Sequence, residues 1–301
     1  MIPSSHQRRC IRLACVLLAT LVPVCTETVA SAIDPPPSGD GVQRVQYAEA
    51  EHAAAAPAAD TDTVVIDLPL AGSDVQRVWY RQPAQPVAAL VLFTGGDGVL
   101  KIDRSGVIRQ PGNFLVRTRD QWIAHGFAVA IPDVPSDRSN LMQGRLSRSY
   151  GEVIRRIVEL AHSRSGAPVW LVGTSLGSLA AGAGAGRLTA GEIAGVVLTS
   201  SVSLPGRPYT DTVFGADLGL VTVPALVVSN KGDRCLFTPP SDAERIRRAL
   251  SRSPKTEVML FEGGLPPKST ECEAFAEHGY YGIEAKVVDG ISAWIIAQTA
   301  R

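Results

Sequence analysis

The stretch 167–186, APVWLVGTSLGSLAAGAGAG, decides the fold. It opens as an apolar, strand-forming run, passes through Gly173-Thr174-Ser175-Leu176-Gly177, and continues in small residues. A strand must stop and a helix must start within a few residues, which forces Ser175 onto a sharp turn. The residues two before and two after the serine then crowd one another, and Gly173 and Gly177 have no Cβ to collide. Such a turn lifts the Ser175 hydroxyl off the sheet. It also leaves the Leu176 N–H at a helix N-terminus, where negative charge is stabilised. Ala180, Ala181, Gly182 and Gly184 let the following helix lie close against the sheet.

The flanking sequence alternates between the two periodicities. Residues 63–70 and 75–82 predict two half-buried antiparallel strands, and 87–96 a strand buried on both faces. A helix over 114–126, a strand over 127–135 and a helix over 148–166 follow. The latter helix places Tyr150, Val153, Ile154, Ile157, Val158 and Ala161 on one face. After the central stretch come strands within 191–203 and 223–233, a helix over 239–253, a strand over 256–264 and a closing helix over 282–300. This order predicts an α/β fold. Its central sheet is mostly parallel, with antiparallel opening strands and helices on both faces.

In a chain with 28 glycines, Gly-x-Ser-x-Gly alone carries little information. The strand before it and the small-residue helix after it carry more. With that context, residues 63 to 299 resemble the α/β-hydrolase superfamily, in its serine esterase and dienelactone-hydrolase-like branch. The resemblance implies a nucleophile elbow at Ser175 and a chain order of serine, acid, histidine.

Of the histidines beyond the first 32 residues (His52, His125, His162 and His278), only His278 follows Ser175. It lies between the last strand and the last helix, where the family carries its base. His125 and His162 stand just before Gly126 and Gly166, at helix C-termini, where a structural role suffices. Asp233, delivered by the strand within 223–233, matches the family's acid position. Asp211 is the second candidate, and Asp133 reads as a turn former. Backbone N–H groups of Leu176 and of Gly96 or Asp97, in the Gly-rich loop 94–98, are the expected oxyanion donors. The lipase-type His-Gly-Gly-Gly is absent, and Thr94 stands where its histidine would be.

The segment 204–222 is too short for a large lid, so an open site lined partly by Tyr209 and Phe214 is expected. Lys101, Arg104 and Arg109 read as a solvated loop. The sequence implies no cofactor and no metal: histidines are scattered, there is no Cys-x-x-Cys, and the GGDG loop lacks the Lys-Ser/Thr of a P-loop.

Arg8, Arg9 and Arg12, the apolar run 13–25 and the Ala-Ser-Ala ending at Ala32 make residues 1–32 a signal peptide cleaved near Ala32. Residues 33–62, rich in Pro and Ala, read as a leader, and 63–301 as the catalytic domain. Export to the periplasm or medium leaves Cys235 and Cys272 in an oxidising compartment, where they are expected to pair. That bridge would pin the Asp233 loop to the His278 loop and contribute roughly 3–4.7 kcal/mol.

Lys plus Arg and Asp plus Glu balance at 29 each, so no overall field favours nucleic acid. After processing, no membrane span is expected. The expected function is ester hydrolysis through an acyl-enzyme, on a small or extended ester. A serine peptidase, a thioesterase or a non-catalytic binding protein on the same fold are the alternatives.

Overall fold

The computed structural model describes residues 62–207 and 210–300. Residues 1–32, expected to be a signal peptide, nearly all of the expected leader 33–62, and Tyr209 lie outside the described residues.

Eight strands form one sheet in the order β1-β2-β4-β3-β5-β6-β7-β8. The opening hairpin, β1 (Val64–Pro69) and β2 (Val75–Arg81), pairs antiparallel, and β2 runs antiparallel to β4 (Phe127–Pro132). The remaining strands run parallel: β3 (Ala88–Phe93), β5 (Val169–Thr174), β6 (Gly195–Thr199), β7 (Ala225–Asn230) and β8 (Thr256–Phe261). β3 through β7 are buried along their whole length, as their unbroken apolar runs require.

Alternation along each strand feeds two cores. In β5, Val169 and Leu171 join one cluster, beneath α3 (Arg148–Ser165) and α4 (Gly177–Arg187). Trp170 and Val172 join the other, beneath α6 (Glu284–Thr299), where Trp170 meets Trp294 edge-on. The small residues of α4 bring it close to the sheet: a Cβ on Gly184 would lie 2.8 Å from Leu171 Cδ1.

The helix expected over 114–126 is two short ones, α1 (Phe114–Arg117) and α2 (Arg119–Ala124). Thr118 divides them, with its hydroxyl bonded back to the Phe114 carbonyl at 2.7 Å and receiving Trp122 Nε1 at 3.0 Å. A threonine that satisfies a carbonyl of the preceding turn competes with the helical ladder at its own position. The helix expected over 239–253 begins as a 3-10 turn at Pro240–Asp242 and is α-helical over α5 (Ala243–Ala249).

Sheet order fixes where chemistry can occur. From β3 the chain steps to β4 on one side, then returns across β3 to β5 on the other. The loops leaving β3 and β5 therefore diverge between adjacent strands, and the crevice at such a switch point is where open α/β sheets bind ligands.

Candidate active site

Ser175 occupies the turn from β5 into α4 with φ +54°. Left-handed backbone at a non-glycine residue costs on the order of 1–3 kcal/mol and persists only when the surroundings impose it. They do so here. The Ser175 N–H donates to the Thr199 carbonyl at 3.0 Å, tying the turn to the end of β6. A Cβ on Gly177 would fall 2.0 Å from the Phe93 carbonyl oxygen, and one on Gly173 2.4 Å from the Gly177 oxygen. Gly95 also crosses closely on the β3 side, where a Cβ would lie 2.8 Å from Ser175 Cβ.

His278 lies in a 3-10 turn, Glu277–Gly279, between β8 and α6. Its side chain is 5% exposed, and that of Asp233, in the loop three residues past β7, is fully buried. His278 Nδ1 meets Asp233 Oδ2 at 3.0 Å. The other carboxylate oxygen accepts the Cys235 N–H at 2.9 Å. Thr238 donates its hydroxyl to Oδ2 at 2.9 Å, and its oxygen lies 3.1 Å from His278 Nδ1. With its one proton given to the carboxylate, the Thr238 oxygen is left as a second acceptor for the ring N–H. The neutral imidazole then carries its proton on Nδ1, which leaves Nε2 as the basic nitrogen.

The backbone around His278 is held from several sides. Ser200 donates to the His278 carbonyl at 2.9 Å and lies 3.0 Å from the Tyr280 hydroxyl. Burial pushes the Tyr280 phenol well above its ordinary pKa, so it remains a neutral donor, to the Val228 carbonyl at 3.2 Å. Arg117, at the end of α1, donates to the carbonyls of Gly112 and Gly279 and pairs with Glu284 at 2.9 Å. Cys235 and Cys272 form a disulfide, with Cα atoms 4.6 Å apart.

Ser175 and His278 line one cavity of about 400 Å3. It is also lined by the loop after β3, Thr94 to Leu100, and by Asn113, Phe114 and Phe275. The loop's amides are drawn onto a buried carboxylate: Asp133 accepts the N–H groups of Leu100 at 2.9 Å and Ile102 at 2.8 Å. Asp133, read from sequence as a turn former, here braces the distant loop after β3.

Asp233, not Asp211, is the aspartate bonded to His278. His125 bonds Asp289 at 2.8 Å, and His162 the Ala167 carbonyl at 3.2 Å, both at helix ends. Phe214 does not line the cavity. It sits in the 3-10 turn Val213–Ala216, against the core and beneath the Arg245 guanidinium at 4.0 Å. The Val213 N–H is bonded to the Val202 carbonyl, which holds that segment along the sheet. Lys101, Arg104 and Arg109 also stay outside the cavity, and Arg109 pairs with Asp103. Thr238, Ser200 and Arg117 were not singled out from sequence. Nothing local distinguishes a threonine five residues past an aspartate until the loop folds back. Among the described residues, no cluster of His, Cys, Asp and Glu is placed to hold a metal ion. No described helix is long and apolar enough to cross a membrane.

No protein-family model matches the chain, and no curated protein matches it in sequence. Solved structures do match its architecture. One is a cold-adapted esterase from an Arctic intertidal metagenomic library, at 14% identity and TM-score 0.51, over 78% of this chain and 96% of that one. A thermostable carboxyl esterase from Bacillus coagulans matches at 10% identity and TM-score 0.55, over 79% and 99%. Dienelactone hydrolase from Anabaena variabilis matches at 13% identity and TM-score 0.56, over 78% and 97%. The protein has the α/β-hydrolase fold.

Proposed function

We propose that this protein is an exported serine hydrolase that cleaves carboxylic esters. Ser175 attacks the ester carbonyl while His278 Nε2 takes its proton. Asp233 holds the imidazole in the required tautomer and stabilises the imidazolium that forms. The N–H of Leu176, with that of Gly96 or Asp97, binds the oxyanion. The alcohol leaves with the proton from His278, and water, activated by the same base, releases the acid from the acyl-enzyme.

One observation carries the reading. A buried Asp233–His278 hydrogen bond of 3.0 Å opens onto the same cavity as a serine held at φ +54°. Strain at a serine and a partnered imidazole on one cavity are what nucleophilic catalysis needs and what packing alone does not require. The ester-cleaving neighbours of the same fold support the choice of ester. A cavity of about 400 Å3 flanked by Phe114 and Phe275 suits a short acyl chain. The Cys235–Cys272 disulfide supports export, since such bonds persist in oxidising compartments.

The test is labelling by a fluorophosphonate together with hydrolysis of p-nitrophenyl butyrate. Wild type is expected to do both and Ser175→Ala neither. Equal rates for the two proteins would remove the nucleophile and the mechanism with it. Recovery of an exported protein whose N-terminus lies near Ile33 checks the signal peptide.

A further inference from the structure

Arg145, between β4 and α3, is 2% exposed, although a buried guanidinium pays a large desolvation penalty. It directs its donors at backbone carbonyls: Nε to Leu141 at 2.8 Å and Nη2 to Gly96 at 3.0 Å. The same two segments are joined again where the Leu141 N–H donates to the Asp97 carbonyl at 2.6 Å. Gly98, at φ +77°, wraps the loop around the guanidinium so closely that a Cβ there would lie 3.1 Å from Nη2. Gly96, Asp97 and Gly98 line the Ser175 cavity, and Arg145 does not.

Peptide geometry turns this anchor into a statement about the opposite side of the loop. In a trans peptide the carbonyl and the N–H point in opposite directions. Holding the Gly96 carbonyl on Arg145 turns the Asp97 N–H away from the buried guanidinium. A cation at the carbonyl end also polarises the peptide and strengthens its N–H as a donor.

We infer that Arg145 is a positioning residue: its buried guanidinium fixes and polarises the Gly96–Asp97 peptide so that the Asp97 N–H, rather than that of Gly96, joins Leu176 in binding the oxyanion. This rests on the hydrolase reading above. It asks of Arg145 no contact with substrate, only control of a donor that forms its best hydrogen bond in the transition state.

The experiment compares wild type, Arg145→Gln and Arg145→Lys, each normalised to sites titrated by a fluorophosphonate. Readouts are kcat and KM for p-nitrophenyl butyrate and affinity for an alkyl trifluoromethyl ketone, whose serine adduct carries the oxyanion. Arg145→Gln is expected to lower kcat per titrated site about 10- to 100-fold, in the range of a weakened oxyanion donor. KM should move less than about threefold, and ketone affinity should fall in parallel with kcat/KM. Arg145→Lys, which keeps the charge and loses the fork, should fall in between. If the glutamine variant fails to fold, the lysine variant decides by the same ratios. Unchanged kcat per titrated site, with only fewer titratable sites, overturns the inference and leaves Arg145 a packing residue. A wild type that neither hydrolyses the ester nor reacts with the fluorophosphonate overturns the hydrolase reading itself.

Discussion

The carboxylate of Asp233 receives the Nδ1 proton of His278 at 3.0 Å, across 45 residues of sequence. That bond sets which ring nitrogen is basic, and it does so out of solvent, where no water replaces a lost partner. Asp233→Asn would offer a donor to Nδ1 and so stabilise the tautomer with its proton on Nε2. The expected result is a fall in kcat of about 10⁴-fold with the fold retained. Steady-state ester hydrolysis beside Ser175→Ala as the floor measures it. An asparagine variant with more than a tenth of wild-type kcat would mean that this bond does not organise the base.

Thr238 shares that carboxylate and cannot be replaced without a loss. Thr238→Val keeps the volume and removes the 2.9 Å donor to Asp233 Oδ2. Leaving a buried acceptor short of a partner costs about 1–3 kcal/mol. We expect a lower Tm and a kcat reduced about tenfold. Calorimetry and kinetics on the same preparation test this, and a variant indistinguishable from wild type in both would assign the hydroxyl no role.

The disulfide closes a loop that contains Thr238, α5 and β8, with 37 residues of separation. The chain-entropy relation gives about 4 kcal/mol for a loop of this size. For a domain of this length that corresponds to roughly 8–16 °C in Tm. Treatment with a dithiol, or Cys235→Ser with Cys272→Ser, should produce that shift. kcat at low temperature should fall as well, because the Asp233 and His278 loops lose their covalent tie. Unchanged kcat with a lowered Tm would restrict the bond to stability.

Crowding at the serine turn predicts a contrast between two glycines. Gly177→Ala would drive a methyl to within 2.0 Å of the Phe93 carbonyl, whereas at Gly191 the nearest atom, Thr189 Oγ1, is 3.8 Å away. Gly177→Ala should cost at least about 3 kcal/mol, at the upper end for overpacking, and Gly191→Ala about 0.5 or less. Urea unfolding measures both, and a stable Gly177→Ala protein would mean that the backbone can relax at the elbow.

Cavity size sets the last expectation. Hydrolysis of p-nitrophenyl esters should peak at short acyl chains and fall for chains of about ten carbons or more, which would extend beyond a cavity of about 400 Å3 once the alcohol group is also seated. The rate should not jump when substrate forms an oil phase. A preference for long chains, or such a jump, would indicate a larger or covered site.

Much of this was legible because it is local. The turn at Gly173, Ser175 and Gly177 is legible from the apolar run before it and the small residues after it, and the buried strands from unbroken apolar runs. Chain order singled out His278, and composition singled out the Cys235–Cys272 pair. What local pattern cannot carry is which loop folds onto which. Phe214 looked like a pocket residue because an aromatic in a connecting loop is free to turn inward. Tertiary packing under Arg245 decided otherwise. Thr238 and Arg145 owe their roles to carbonyl and carboxylate partners in segments that periodicity leaves unrelated. Thr118 interrupts a helix through a hydroxyl whose acceptor lies in the preceding turn, a competition that apolar spacing does not register.

That interruption has a further effect. Arg117, the last residue of α1 before that break, is a strut reaching the Gly279 carbonyl and Glu284. The segment bearing His278 is thereby moored at both ends, by sulfur where it enters and by guanidinium where it leaves. A break at Thr118, which does not itself line the Ser175 cavity, would then govern how steadily the base is presented.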